Sequence, residues 1–277
     1  MQTLTDGIRC LPLRTPTLPP ATHTNTWLLG EGSLLVVDPA SPYDDERQRL
    51  ITALDTLADD GEQVEALFLT HHHHDHVSGA VHLQQHLAAR GRAVPIIAHP
   101  ATATLLAGKV DVDVLWNEGD RVELGGRLLE VFHTPGHAPG HLVLLDDASG
   151  HLVAGDMVAG VGTIAIDPDE GDLGDYLAHL ERLIALAPTA LLPAHGPALH
   201  EPTAVLSGYI AHRNGRSEQI RQALVTYGPQ TPEELAPRIY PELPAMLHPL
   251  AARQILTHLR WLADHGVSRE EGGRWRE

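Results

Sequence analysis

Five histidines and an aspartate fall within six consecutive residues, His71-His72-His73-His74-Asp75-His76, directly after the mainly apolar run Val64 to Leu69. Imidazole and carboxylate are the usual ligands of zinc and similar metals. The run is internal, which sets it apart from a terminal affinity tag. A solvated polar loop seldom concentrates so many imidazoles behind a buried strand. Alternate residues of an extended backbone point the same way, so His71 and His73 can converge on one metal while His72 and His74 point elsewhere. Asp75 and His76 lie past the bend and face a second position. His72 with His74 has the same spacing as His71 with His73, and Asp75-His76 anchors the choice of register.

A four- or five-coordinate metal needs more ligands than one loop offers. His137, in Thr134-Pro135-Gly136-His137, can complete the first position, and His195, in Pro193-Ala194-His195-Gly196, the second. Asp156, after a strand and Gly155, can bridge both. Two such ions would sit ~3.5–4 Å apart with a shared hydroxide. His141 repeats the Pro-Gly-His spacing and can line the pocket, although His137 is preferred as the ligand. Tyr176 is a candidate substrate contact on an apolar helix face. Arg213 and Arg216 share a face at i and i+3; they are either a solvated pair or a substrate anchor for phosphate or carboxylate.

The elements that must place these residues are strands followed by polar ends. Thr24–Leu29 and Leu34–Val37 read as a hairpin turned by Gly30-Glu31-Gly32. A helix is expected over Asp44–Ala58, a buried strand over Val64–Leu69, and one continuous helix over Val77–Ala89. After a short strand at Val94–Ala98, four more follow at Val122–Leu124, Leu128–Phe132, Leu142–Leu145 and Leu152–Ala154. An amphipathic helix is expected near Asp172–Ala187 and a last strand at Ala190–Leu192. Strands and helices thus recur twice, which predicts an α/β fold of two sheets with helices outside them, an αββα sandwich. Past Pro202 the pattern becomes a long helix at Thr203–Tyr227, a capped start at Thr231-Pro232-Glu233-Glu234, a helix at His248–His265 and a small hairpin at Val267–Trp275. That order is winged-helix-like, and it places a boundary near residue 205: a hydrolase-type domain over 1–205 and a winged-helix-like domain over 206–277.

Composition narrows the classes. The chain has 277 residues, 43% hydrophobic but only 4% aromatic, so Leu, Ala and Val must fill the core. No apolar run approaches the ~18–20 residues of a membrane helix, no secretory signal is visible, and the lone Cys10 excludes an internal disulfide. A cytoplasmic location is expected. Residues 203–277 carry nine arginines against eight carboxylates, or +1, so of the net charge of −17 the first 202 residues carry −18. That body repels phosphate backbones in bulk, although metal ions can supply local positive charge.

His71-x-His73-x-Asp75-His76, Thr134-Pro135-Gly136-His137, Gly155-Asp156 and Pro193-Ala194-His195-Gly196 occur in the order found in the metallo-β-lactamase superfamily. Over residues 24–200 the chain resembles that superfamily. The resemblance implies the αββα sandwich and seven metal ligands: His71, His73, Asp75, His76, His137, Asp156 and His195. It implies two Zn2+, with Mn2+ or Fe as alternatives. Tyr209 to Arg216, Thr24-Asn25-Thr26, Asp175-Tyr176 and the tail are similar to the lactamase-beta-2-like branch. That branch includes a mitochondrial endoribonuclease for single-stranded RNA, and fungal acyl-carrier-protein thioesterases resemble it. The expected activity is therefore hydrolysis by a metal-bridging hydroxide, with Asp75 orienting it or accepting a proton. The expected substrate is single-stranded RNA or, alternatively, a thioester or other small-molecule ester. An iron-dependent redox enzyme and a non-catalytic nucleic-acid-binding protein are the rival readings. Asp156 stands where the main zinc β-lactamases have cysteine, so β-lactamase activity is not expected.

Overall fold

The computed structural model describes all residues 1–277. In chain order the elements are β1 (Gln2–Thr5), β2 (Ile8–Arg14), β3 (His23–Leu29), β4 (Ser33–Val37), α1 (Asp44–Asp59), β5 (Gln63–Phe68), α2 (His74–Val77), α3 (Ala80–Ala89), β6 (Ile96–Ala98), α4 (Pro100–Leu106), β7 (Val114–Leu115), β8 (Arg121–Leu124), β9 (Arg127–His133), β10 (Leu142–Asp146), β11 (His151–Gly155), α5 (Leu173–Ala185), β12 (Ala190–Pro193), α6 (Pro202–Tyr227), α7 (Pro232–Ile239), α8 (His248–Asp264), β13 (Arg269–Glu271) and β14 (Arg274–Arg276). They gather into two compact units. One holds residues 1–134, 139–164 and 187–202; the other holds 135–138, 165–186 and 203–277.

In the first unit, β1 to β7 form one sheet in chain order, and β12-β11-β10-β9-β8 form the other. Strand alternation explains the layering. Leu34 and Val36 of β4 pack with Leu67 and Leu69 against Leu50, Leu54, Leu83 and Leu87 of α1 and α3. The intervening Leu35 and Val37 join Ala66 and Phe68 in a second core with Leu129, Val131, Leu142, Leu144 and Val153 of the other sheet. Helices, sheet and sheet are thus stacked layers, with mainly aliphatic side chains between them. β4 and β5 pair in parallel, with Val37 opposite Phe68, and β11 and β12 pair in parallel as well. Parallel pairing brings the carboxyl ends of neighbouring strands out at the same edge, where ligand-bearing loops are best held.

The continuous helix expected over Val77–Ala89 is instead two helices, α2 and α3, broken at Ser78-Gly79. The Gly79 N–H donates to Pro39 O at 2.8 Å, and a Cβ on Gly79 would overlap that carbonyl. The break docks the Asp75-His76 turn against the end of β4. The N-terminal strands β1 and β2 and the short helix α4 were not expected from the sequence.

The second unit has its own core: Ile220 and Leu224 of α6, Leu235 of α7, Ile255, Leu259 and Leu262 of α8, and Trp275. Thr231 and Glu234 form the anticipated capping box at the start of α7. Gly272 and Gly273, both at positive φ, turn the β13–β14 hairpin. The Gln230 backbone pairs with Trp275 at its edge.

Candidate metal centre

Three groups of ligand-type side chains converge, the least buried of them being His72, His73 and Glu170, which brings in a histidine that the sequence register points elsewhere. His71, His73, His137 and Asp156 each offer one ligand atom within 4.8 Å of the others, and Asp75, His76 and His195 do the same. Asp156 belongs to both: its Oδ2 lies 3.7 Å from His76 Nε2 and its Oδ1 3.4 Å from His195 Nε2. Asp75 completes the second group, with Oδ2 3.7 Å from His195 Nε2 and Oδ1 4.0 Å from His76 Nε2. These separations are mostly longer than a hydrogen bond, the 3.4 Å His195–Asp156 pair alone being within reach of one. They are close to the ~3.3–3.6 Å that separates neighbouring ligands of an ion bound at about 2.0–2.2 Å.

His71, His76, His137 and His195 each have a bond on Nδ1, which turns Nε2 the other way. His76 Nδ1 is 2.8 Å from Asp38 Oδ2. Its Nε2 is buried, has no hydrogen-bond partner and is aimed between the carboxylates of Asp75 and Asp156. A buried imidazole nitrogen without a hydrogen-bond partner is costly, and its lone pair suits a divalent metal. His195 Nδ1 is 2.9 Å from His23 O, and His137 Nδ1 is 2.7 Å from Ala165 O. His71 Nδ1 lies 3.0 Å from Thr70 Oγ1, while its Nε2 meets His73 Nδ1 at 2.9 Å. The donor set of imidazoles and carboxylates thus suits divalent metals, and Asp156 lies within 4 Å of His76 and His195 as well as in the first group.

Asp38 is the functional residue that sequence reasoning missed. It follows β4 at φ 48° and is 1% exposed. Besides holding His76, it accepts from the Thr70 N–H and the Thr70 hydroxyl, each at 2.8 Å. One carboxylate thereby ties the end of β4 to the start of the histidine loop. The only signal in the sequence was a buried-strand end followed by Asp-Pro, which reads equally well as a turn. Asn25 plays a similar part for His195: its side-chain amide donates to Pro193 O at 2.9 Å and Gly196 O at 2.7 Å. Thr26 donates to Asp38 O at 2.7 Å. The Thr24-Asn25-Thr26 stretch therefore serves the loops that carry ligands.

The charges are coupled. Burial disfavours a charged His76, but Asp156, Asp38 and Asp75 outweigh it and hold its pKa well above the ordinary value. Burial likewise opposes an ionised Asp156, and His195 and His76 overcome it to keep the carboxyl well below the usual range. His195 is raised in the same way, burial being outweighed by Asp156. Carboxylates thus dominate the field at this centre, as a divalent cation requires.

The residues considered for substrate contact are placed differently. His141 is fully buried. Its Nδ1 meets Thr134 Oγ1 at 2.9 Å and its Nε2 accepts from the Asp156 N–H at 3.0 Å. It lies beneath the bridging ligand, and Gly155 must lack a Cβ because one would press on the His141 ring. Tyr176 is fully buried, with the Arg213 guanidinium 5.5 Å from its ring centre, and Arg213 is itself buried. Arg216 stacks 4.1 Å from the Tyr240 ring and donates to Ile239 O at 2.9 Å. Packing and α7 thus engage the residues expected to anchor substrate. His74, off the ligand register, is on α2 with Nδ1 2.8 Å from Ser78 Oγ.

Known proteins share both parts of this architecture. Residues 19–195 match the metallo-β-lactamase superfamily, and residues 231–275 match the β-lactamase-associated winged helix domain. The chain is 30% identical over 256 residues to a β-lactamase-like protein 2 homolog of Drosophila melanogaster, covering 89% of this chain and 84% of that one. It is 31% identical over 168 residues to a hydroxyacylglutathione hydrolase of Stenotrophomonas maltophilia, covering 60% and 58%. The fold is that of a β-lactamase domain protein from Burkholderia ambifaria, with TM-score 0.84, 24% identity and 99% and 94% coverage. With its α/β sandwich, its convergent His/Asp ligands and its C-terminal winged helix, the chain belongs to the metallo-β-lactamase superfamily of metal-dependent hydrolases.

Proposed function

We propose that this chain is a dinuclear zinc hydrolase of the cytoplasm that cleaves phosphodiesters of single-stranded RNA. The observation that carries the hydrolase reading is the pair of ligand groups joined through Asp156, with His76 Nε2 buried and unbonded between two carboxylates. Metal bound there would act as a Lewis acid and lower the pKa of a coordinated water toward ~7. The chain's own residues do the rest. Asp38, His23 and Ala165 fix the imidazoles through their Nδ1 atoms. Asp75, on the short helix α2 and partly exposed, is the carboxylate placed to orient a nucleophilic water and to accept its proton. The RNA reading is supported by the resemblance to the lactamase-beta-2-like branch and by the match to a β-lactamase-like protein 2 homolog along most of both chains. Zinc is favoured by the imidazole-rich donor set, with Mn2+ or Fe as the alternatives.

A second reading is hydrolysis of a thioester or other small-molecule ester. The acidic body favours it, because a small acyl substrate meets less repulsion than a polyanion. So does the similarity to a hydroxyacylglutathione hydrolase. The discriminating experiment is a screen of the zinc- and manganese-loaded chain against single-stranded RNA and acyl thioesters, with Asp75→Ala and His137→Ala as controls. RNA cleavage that both variants abolish, with their folds intact, is the expected result. Thioester turnover alone would replace the RNA reading, and full activity in either variant would remove the site assignment.

A further inference from the structure

Side chains of α8 hold the backbone segment that contacts His137. Residues 163–167 form no helix or strand, yet Ile166 is buried at 1% exposure. A buried backbone of this kind must find partners for its N–H and C=O outside a regular ladder. Gln254 of α8 supplies them. Its Oε1 accepts from the Ile166 N–H at 3.0 Å and its Nε2 donates to Ile166 O at 3.1 Å. One side-chain amide thus pairs with a single residue as a neighbouring strand would. Thr257, one turn on and buried, adds its hydroxyl to Ile166 O at 2.8 Å. Arg253 clamps Asp167 in a fork, with Nε 2.9 Å from Oδ2 and Nη2 2.5 Å from Oδ1, and reaches Asp169 Oδ2 at 2.6 Å. Arg260 donates to Pro168 O. Four residues of one helix therefore fix 166–169, and three of them lie on successive turns at 253, 257 and 260.

The carbonyl just before this clamped stretch is Ala165 O, which takes the His137 Nδ1 proton at 2.7 Å. The peptide that carries Ala165 O ends on Ile166 N, whose proton is held by Gln254. Rotating that peptide would break both bonds together. The other side of the His137 loop is held as well: the Asp172 N–H donates to Gly136 O at 2.8 Å.

We propose that Gln254 and Thr257 are positioning residues for His137. The chain of contact runs from the α8 side chains to Ile166, through the Ala165 carbonyl, to His137 Nδ1–H. It leaves the His137 Nε2 lone pair as the ligand. Side chains that fix a histidine's tautomer and ring angle typically change metal affinity by about 10- to 100-fold when removed. This inference rests on the reading of His137 as a ligand.

The test uses the metal-stripped full-length chain and a Gln254→Leu/Thr257→Val double variant, which keeps side-chain volume and removes the three bonds to Ile166. Leu262→Ala serves as a stability control, because Leu262 packs in the helical core with Ile220, Leu235 and Ile255. Zn2+ titration against a competing chelator reads the two affinities, and 15N NMR of the metal-free chain reads the His137 tautomer. The expected result is that the double variant weakens one of the two sites by roughly 10- to 100-fold and leaves the other unchanged. Its His137 should also lose its preference for the Nδ1–H form, while Leu262→Ala lowers the melting temperature and leaves both affinities alone. Wild-type affinity and tautomer in the double variant would overturn the proposal. So would an equal loss of affinity in Leu262→Ala. His137→Ala separates the two levels: loss of one site upholds the ligand reading on which the proposal stands, whereas two intact sites would remove that reading and the proposal with it.

Discussion

Asp38→Asn should disable one metal position while preserving the backbone. Asp38 sits at φ 48°, a conformation that Asn tolerates with little strain. The carboxylate accepts three bonds, from the Thr70 N–H, the Thr70 hydroxyl and His76 Nδ1, each at 2.8 Å. An amide has one oxygen left to accept. If that oxygen keeps the Thr70 N–H, the NH2 group faces His76 Nδ1, which must then act as an acceptor. The ring proton moves to Nε2, the nitrogen aimed between Asp75 and Asp156, and an Nε2–H cannot ligate. The expected loss is about 10- to 100-fold in affinity for the ion held by Asp75, His76 and His195, equivalent to roughly 1.4–2.7 kcal/mol. Loss of a charge-assisted bond to a buried carboxylate should lower folding stability by about 1.5–3 kcal/mol besides. Chelator competition with Zn2+ reads the first quantity, and denaturant unfolding of the metal-free chain reads the second. Two wild-type affinities in Asp38→Asn would refute the reasoning, because the tautomer of His76 would then not depend on Asp38.

Two further outcomes follow from the second unit. Gly136 lies at φ 124°, and a Cβ there would overlap the backbone of Tyr176, so Gly136→Ala should displace the His137 loop. Reduced metal stoichiometry with an intact far-UV spectrum is the expected readout, and unchanged stoichiometry would contradict it. His258 is pushed down to about 3 by burial, with Arg213, Arg216 and His212 adding to the effect, and its Nδ1 is 2.8 Å from Ser217 Oγ. The unfolded chain binds the His258 proton near the ordinary value of ~6.5 and the folded chain does not, so stability rises with pH across this interval. The contribution is complete above ~6.5 and is lost as pH falls toward about 3, at up to ~1.4 kcal/mol per pH unit. His258→Gln should flatten that acid slope in unfolding measurements, and an identical slope in wild type and variant would sink the assignment.

The seven candidate ligands are legible because they fall in four short motifs that follow hydrophobic strands, and the register of His71 and His73 over His72 and His74 rests on the Asp75-His76 pair as well as on strand alternation. Layering was legible for the same reason: Leu34 and Val36 face the helices, and Leu35 and Val37 face the other sheet. What could not be read depends on pairings distant in sequence. Asp38 matters only because β4 and β5 lie side by side, with Val37 opposite Phe68. Gln254 matters because α8 meets residues 166–169, almost ninety positions earlier in the chain. His141 looked like a pocket residue because it repeats the Pro-Gly-His spacing. Only the structure places its ring under the Asp156 N–H. The break between α2 and α3 was missed because Ser78-Gly79 does not interrupt the apolar periodicity, and what demands the glycine is the Pro39 carbonyl.

The central claim is that one divided site holds two metal ions through a shared Asp156. Anomalous diffraction at the metal absorption edge, from crystals of the metal-loaded chain, tests it most directly. The account predicts two peaks ~3.5–4 Å apart, one beside His71, His73 and His137 and the other beside Asp75, His76 and His195, with Asp156 between them. A single peak, or a second peak away from His76 and His195, would contradict it.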